Sequence, residues 1–288
     1  TLPESVSRIG YNAFGNCFSL SSINIPKSVI SIGKNAFGGC YFLATNFINN
    51  SNCTSSTWWG ATLVDTEVDG LLIKDSILIR GRKLISSAVI PDFVIGIGKE
   101  AFLNCTNLAS VTIPKSVRSI GEDAFETTAL YNNESNWEEG VLYIGEYLIK
   151  ANKSLIGKTY SIKNGTKLIA DEAFGSYEGY LIGLYDIFIP NSVKYIGNGA
   201  FRYNNFTTLT IPNSVKSIGE QAFGWFYNLT SVTIGDGVKF IGARAFHGNN
   251  GRTISKVNYT GDLEGWCGIK FGDENANPIY SSGNIFIN

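Results

Sequence analysis

The chain has 288 residues, with 23 Lys and Arg against 24 Asp and Glu, a formal net charge of −1. That balance gives no electrostatic case for nucleic acid or an anionic membrane as partner. Charged residues are only 16 % while Asn, Ser, Thr and Gly abound, the usage of turns and exposed β surfaces, and no apolar run reaches the ~18 residues that would span a bilayer.

The chain begins at Thr1, inside a repeat and without methionine, so any signal peptide or anchor is expected outside it. The repeat skeleton is Val, two residues, Ile-Gly, two residues, Ala-Phe. Its Ile-(Gly/Ala) pairs begin at Ile9, Ile32, Ile97, Ile120, Ile169, Ile196, Ile218 and Ile241, and its Ala-Phe pairs close at Phe14, Phe37, Phe102, Phe125, Phe174, Phe201, Phe223 and Phe246. Directly adjoining copies recur every 22 or 23 residues. A fixed period in this range predicts a solenoid, in which like residues of successive coils form columns.

Within one unit, Val111 and Ile113 flank Thr112 with period two and predict a half-buried strand with Thr outward. Pro114 ends the pairing and Lys115-Ser116 make a turn. Val117 and Ile120 then point inward, Gly121 is expected to bend the chain, and Glu122-Asp123-Ala124-Phe125 suits one helical turn.

Two gaps break the period, 65 residues from Phe37 to Phe102 and 49 from Phe125 to Phe174. Each holds an acidic residue, a glycine and a predicted hairpin, at about 66–83 and 138–156. Gly145-Glu146 suits a two-residue type II′ turn. Residues 1–260 are thus read as one solenoid with inserted hairpins. Residues 261–288 are read as a non-repeat segment, carrying the Trp266 to Pro278 patch and ending at 284–288 in the first strand of a truncated hairpin.

Cys17, Cys40 and Cys105 each follow the repeat Phe by three residues, a slot held elsewhere by Thr128, Tyr177, Asn204, Phe226 or Asn249. Small, buried, reduced side chains in a column are expected there, with a disulfide between adjoining copies as the lesser reading. Cys53 and Cys267 lie outside the repeat and pair with nothing identifiable.

These motifs resemble the BspA-like class of leucine-rich repeats: Leu-x-x-Val-x-Ile-Pro, then Val-x-x-Ile-Gly-x-x-Ala-Phe-x-x-Cys, matched almost position for position at 108–125 and 209–223. The Asp-Gly and Glu-Gly hairpins and the Trp266 to Pro278 patch are similar to segments found inside longer members. The resemblance implies an α/β-type repeat solenoid. That is a right-handed coil with a parallel sheet on one face, short helical or 3-10 turns, and inserted β-hairpins. It also implies a secreted or cell-surface protein, typically bacterial, in a class where several members are implicated in adhesion. It supplies no contact motif to transfer.

Chemistry finds little purchase in the sequence. The single histidine, His247, reads as a solvated loop residue, and with the cysteines in a column no zinc spacing exists. No phosphate loop or nucleophile elbow occurs. Asp262, Glu264, Asp273 and Glu274 lack the alternation of a calcium loop. No enzyme, metal or cofactor is expected. Sequons such as those at Asn104 and Asn228 follow from Asn and Thr usage in turns.

Two binding surfaces remain. Outward positions Ser22, Asn24, Ser110, Thr112, Thr208, Thr210, Ser231 and Thr233 form short polar rows that suit a large protein partner touching many coils, or else keep the sheet soluble. The off-repeat aromatics Trp58, Trp59, Trp137, Trp225 and Tyr227 could stack on sugar rings or anchor a protein, or pack the hairpins onto the coil. The reading is a non-catalytic binding or adhesion module, with a carbohydrate-binding module and a structural spacer as alternatives.

Overall fold

A computed structural model of the chain describes residues 2–17, 20, 22–33, 36–37, 40, 47–49, 66–175, 183–248, 254–279 and 285–287. Each repeat contributes two short strands to two parallel rows. The Ile-Pro segments form the first row: Thr208–Ile211, Ser231–Ile234, Lys256–Tyr259 and Ile285–Ile287 pair in parallel, with Ser87–Val89 on Ser110–Thr112 and Thr159–Ser161 on Asp186–Phe188. The Val-x-x-Ile segments form the second row. There Ile169 stands beside Ile196, Ile196 beside Ile218, and Ile218 beside Ile241.

Like therefore meets like, which is why the sequence repeats: a residue buried on one coil needs the same shape from its neighbour. The Phe rings file one behind another. Phe174, Phe201, Phe223 and Phe246 have centroids 5.1, 5.2 and 5.5 Å apart and ring planes within 10° of parallel. Phe14 and Phe37, and Phe102 and Phe125, repeat the arrangement at 5.2 Å. Polar ladders run alongside. Where a repeat coil follows directly, the N–H of the repeat Phe donates to its Ala carbonyl, as from Phe14 to Ala36, Phe102 to Ala124 and Phe201 to Ala222 (each 2.7 Å). Ser28, Ser116 and Ser214 donate their hydroxyls to the Val6, Val94 and Val193 carbonyls one coil back.

The Ala-Phe segments are runs of hydrogen-bonded turns rather than regular helix, as where Ala101, Leu103 and Cys105 donate to the Gly98, Glu100 and Phe102 carbonyls. The residue before Ala is left-handed, with φ of +54° at Asn12, +55° at Glu100, +52° at Asp123, +54° at Glu172, +51° at Gln221 and +53° at Arg244. One such residue interrupts a right-handed turn. Short helices lie elsewhere, at Ala129–Asn132 and Leu263–Cys267, each capped by the side chain of the preceding Thr128 or Asp262.

Both inserts are three-stranded meanders. The first runs through Thr66–Val68, Leu71–Lys74 and Ile77–Gly81, the second through Trp137–Glu138, Val141–Ile144 and Tyr147–Ala151. Asp69-Gly70 and Glu139-Gly140 make the first turns with φ positive at both residues, as an I′ turn demands. Gly145 alone is positive at the second turn of the later insert, while Asp75 and Ser76 are both positive in the earlier one. The last strand of each meander enters the second row as a rung: Leu78 pairs with Ile97 and Leu148 with Ile169.

The segment after residue 260 adds a rung to each row. Lys270–Phe271 pairs in parallel with Phe240–Ile241, and Trp266, 5 % exposed, packs on Tyr259 and Phe271. Ile285–Ile287 pairs in parallel with Lys256–Tyr259 and so extends the first row. Backbone ladders need no side-chain motif, so coils that lack the skeleton still stack.

Cys17, Cys40, Cys105 and Cys267 are free thiols. Cys40 and Cys105 are buried as expected, and burial pushes both thiols up. Cys17, on the outermost described coil, is exposed instead. The slot answers a carbonyl: the Cys40 thiol donates to the Phe14 carbonyl (2.9 Å), Thr128 to Phe125 (2.7 Å), and the Asn204 amide to Phe174 (3.1 Å) and Phe201 (2.9 Å). Cys53 lies outside the described residues.

Candidate functional site

Period two along the first-row strands decides which side chains leave the sheet. Ser22, Ser110, Thr112, Thr208 and Thr210 are exposed, while Asn24, Ser231 and Thr233 are half-buried. Parallel register places Thr208 beside Ser231 and Thr210 beside Thr233, so these four make one patch. Ser110 and Thr112 sit in a separate ladder beside Ser87 and Val89, and Asn24 in another beside Ile48. The eight residues share a position in the coil, and only four of them touch as neighbours.

Beside that patch lies a groove of about 570 Å³ whose lining includes Phe188, Thr210, Thr233, Asn191, Asn213 and Thr260. Thr260 donates its hydroxyl to the Asn213 amide oxygen (2.8 Å) and accepts from the Asp236 N–H (2.9 Å), which fixes that wall. Phe188 is 64 % exposed where its paired strand carries Ser161 and the later coils carry Thr210 and Thr233, and Val89 and Phe286 occupy outward positions at 68 % and 55 %. Sequence reasoning passed over these apolar side chains because it sought polar rows. The alternation in Asp186-Ile187-Phe188-Ile189-Pro190 already points Phe188 outward.

The off-repeat aromatics do not converge. Trp58 and Trp59 lie outside the described residues. Trp137 donates its indole N–H to the Tyr131 carbonyl (2.8 Å), meets the Tyr131 ring edge-on at 5.2 Å and packs the second meander onto the core. It lines a recess of about 340 Å³ with Tyr131, Asn132, Glu134, Asn152 and Ser154. Trp225 is half-buried between the rings of Tyr203 (6.2 Å) and His247 (5.4 Å), and Tyr227 is half-buried one coil position further on. His247 is therefore half-buried against an aromatic neighbour and not fully solvated.

A buried ion pair lies outside the groove. Arg202 and Glu172 meet at 2.8 Å, each side chain 10 % exposed. Desolvation outweighs the Arg202 guanidinium and pushes the Glu172 carboxyl up to about 7, with Glu122 and Asp171 adding in the same direction and Lys150 opposing. Burial raises Asp171 too, against hydrogen bonds from Asn198. A folded-state value above the unfolded one stabilises fully below the unfolded value near 4.5, and the gain is lost as pH climbs to about 7. Thermal unfolding across that window should show stability falling by on the order of 2 kcal/mol, with Glu172→Gln flattening the slope. A wild-type profile without slope would refute the assignment.

Among the described residues no group of three or more His, Cys, Asp and Glu could hold a metal ion, and no helix is long and apolar enough to cross a membrane. The arrangement is one of repeated surface, with side chains displayed at a fixed pitch. A family model described as BspA type Leucine rich repeat region matches in six copies, over residues 1–58, 80–181 and 158–267. The chain belongs to this BspA-type leucine-rich repeat family. Members of the family are repeat proteins, generally non-catalytic.

Among solved structures, this BspA-type chain is similar to a leucine-rich cell surface protein of Faecalibacterium prausnitzii A2-165 (21 % identity, 94 % of this chain and 81 % of that one, TM-score 0.35). It is also similar to the pneumococcal vaccine antigen PcpA (18 %, 98 % and 85 %, TM-score 0.37) and to a leucine-rich repeat protein of Bacteroides ovatus ATCC 8483 (20 %, 94 % and 76 %, TM-score 0.31). No curated protein matches the chain.

Proposed function

We propose that this chain is a non-catalytic binding module of a secreted or cell-surface protein, engaging a large protein partner through the first-row strand surface. The observation that carries this reading is the groove beside Thr208, Thr210, Ser231 and Thr233, where an exposed Phe188 stands among small hydroxyls and amides. Small hydroxyls give little affinity singly, whereas an aromatic anchor ringed by polar groups is the composition of an interface centre. Repetition along the coils spreads the contact over an area that only a macromolecule can cover. Family membership supports the surface location.

Retention of the chain on immobilised extracellular-matrix proteins tests it. Thr112→Arg with Thr210→Arg should reduce retention at least tenfold while leaving the melting midpoint within about 2 °C, because both positions are exposed. Undiminished retention of the double variant would remove this face from the reading.

A carbohydrate-binding module is the second reading, favoured by the Trp137 recess with its Asn132, Glu134 and Asn152 side chains. Quenching of tryptophan fluorescence by a polysaccharide, lost in Trp137→Ala, would support it. Failure of both assays would leave a spacer that displays another domain.

A further inference from the structure

The second strand row carries a feature that the overall charge conceals. Lys167, Lys194, Lys216 and Lys239 occupy the same position in four successive coils, directly after the inward Val or its equivalent. Their backbones form one ladder: Lys194 N–H donates to the Lys167 carbonyl (2.7 Å), Lys216 to Lys194 (2.8 Å) and Lys239 to Lys216 (2.9 Å). Lys270, one rung on and one residue over, donates to the Lys239 carbonyl (3.0 Å). Lys167 is neutralised by Glu146 at 2.5 Å. Among the described residues, Lys194, Lys216, Lys239 and Lys270 have no carboxylate partner.

Three lysines without a carboxylate partner, half-buried Lys194 and exposed Lys216 and Lys239, thus share one column on rungs about 4.8 Å apart, and Lys270 stands on the next rung in register with Phe240. Like charges opposite one another on neighbouring strands are destabilising, by up to ~1 kcal/mol per pair at such separations in water. Solubility does not require this arrangement, because interspersed signs serve it without the repulsion. Nor does the coil: the same position holds Ile30, Ile95 and Arg118 in other copies. A straight, one-charge-per-coil file is complementary to a ligand whose own charges repeat along an extended chain.

We infer that the Lys194–Lys216–Lys239 file binds a linear anionic polysaccharide, one with carboxylate or sulfate groups, lying along the solenoid axis. Single-stranded nucleic acid is disfavoured. It is gripped by successive aromatic platforms, and beside this file only the Phe240 ring is substantially exposed, at 43 %. The cations of the file are all lysines, point charges without the fork that reads base edges. The site lies on the second strand row, so it is separate from the Phe188 groove and stands or falls independently of it.

The test measures affinity of the full chain for a size-fractionated heparin oligosaccharide and for polygalacturonate, with neutral dextran, oligo-dT and phosphatidylserine vesicles as comparison ligands. Binding to at least one of the two polyanionic sugars is expected at 50 mM salt, weakening on the order of tenfold or more at 200 mM as counterions are released. Lys194→Gln/Lys216→Gln/Lys239→Gln should lose at least tenfold in affinity and flatten the salt dependence. Lys27→Gln/Lys115→Gln, exposed lysines off the file, should bind as the parent does. If the triple variant fails to fold, Lys216→Gln alone should lose two- to threefold. Equal binding by parent and triple variant, equal binding of dextran, or tighter binding of oligo-dT or vesicles than of either sugar would overturn the inference.

Discussion

Phe201→Ala lowers the free energy of unfolding by about 3–5 kcal/mol, the range for emptying a buried aromatic site. The ring is 1 % exposed and lies between Phe174 at 5.1 Å and Phe223 at 5.2 Å, with the edge of Phe206 at 6.1 Å. The void cannot close by sliding one coil toward the next. The Phe201 N–H is held by the Ala222 carbonyl at 2.7 Å and the Phe174 N–H by Ala200 at 2.7 Å, so backbone ladders fix the spacing on both sides. Both flanking rings then lose dispersion contacts on one face. Phe14→Ala provides the comparison, because Phe14 is half-buried and, among the described residues, stacks on Phe37 alone. Denaturant unfolding should place the Phe201 variant well below the Phe14 variant. Equal losses would mean that the rings do not share a column.

That column is the part of the fold written most plainly in the sequence. A solenoid core has one side chain per coil at each position, so Ile196, Ile218 and Ile241 must match in kind as well as in hydrophobicity. The bend was less legible. Positive φ falls on Asn12, Glu100, Asp123, Gln221 and Arg244, residues too varied to mark a left-handed position, and the strain is absorbed by ladders on either side. A glycine sat nearby and drew the assignment. The coils after residue 260 were hidden for a related reason: Lys270–Phe271 and Ile285–Ile287 join the rows through backbone bonds, which leave no residue signature.

The candidate surface divides the same way. Outward threonines are readable from period-two alternation alone. Whether Trp137 and Trp225 offer a free face depends on Tyr131, Tyr203 and His247, which reach them only through the coil's closure. The lysine file is visible at the repeat period, yet net charge averages it away against carboxylates elsewhere on the chain.

The repeat glycine has a purpose other than the bend, and a second large effect follows from it. A Cβ on Gly219 would stand 2.5 Å from the Asn198 nitrogen and the Gly197 carbonyl carbon; on Gly121 it would stand 2.4 Å from the Lys99 nitrogen, and on Gly242 2.4 Å from Glu220. These are backbone atoms of the coil below and cannot rotate aside. None of the three glycines has positive φ, so close approach and not conformation demands them. Where a meander strand replaces the coil below, the demand relaxes. At Gly98, above Ile77–Gly81, the nearest atom is the Leu78 carbonyl oxygen at 3.1 Å. Above Tyr147–Ala151 the chain carries Ala170, whose N–H still reaches the Leu148 carbonyl at 2.9 Å. Gly219→Ala should therefore cost about 3 kcal/mol or more, at the upper end of overpacking, and Gly98→Ala under about 1 kcal/mol. Chemical denaturation of the two variants decides it. Equal costs at both sites would show that the coils part freely, whereas a wide gap means that backbone contact between coils sets the residue at this position.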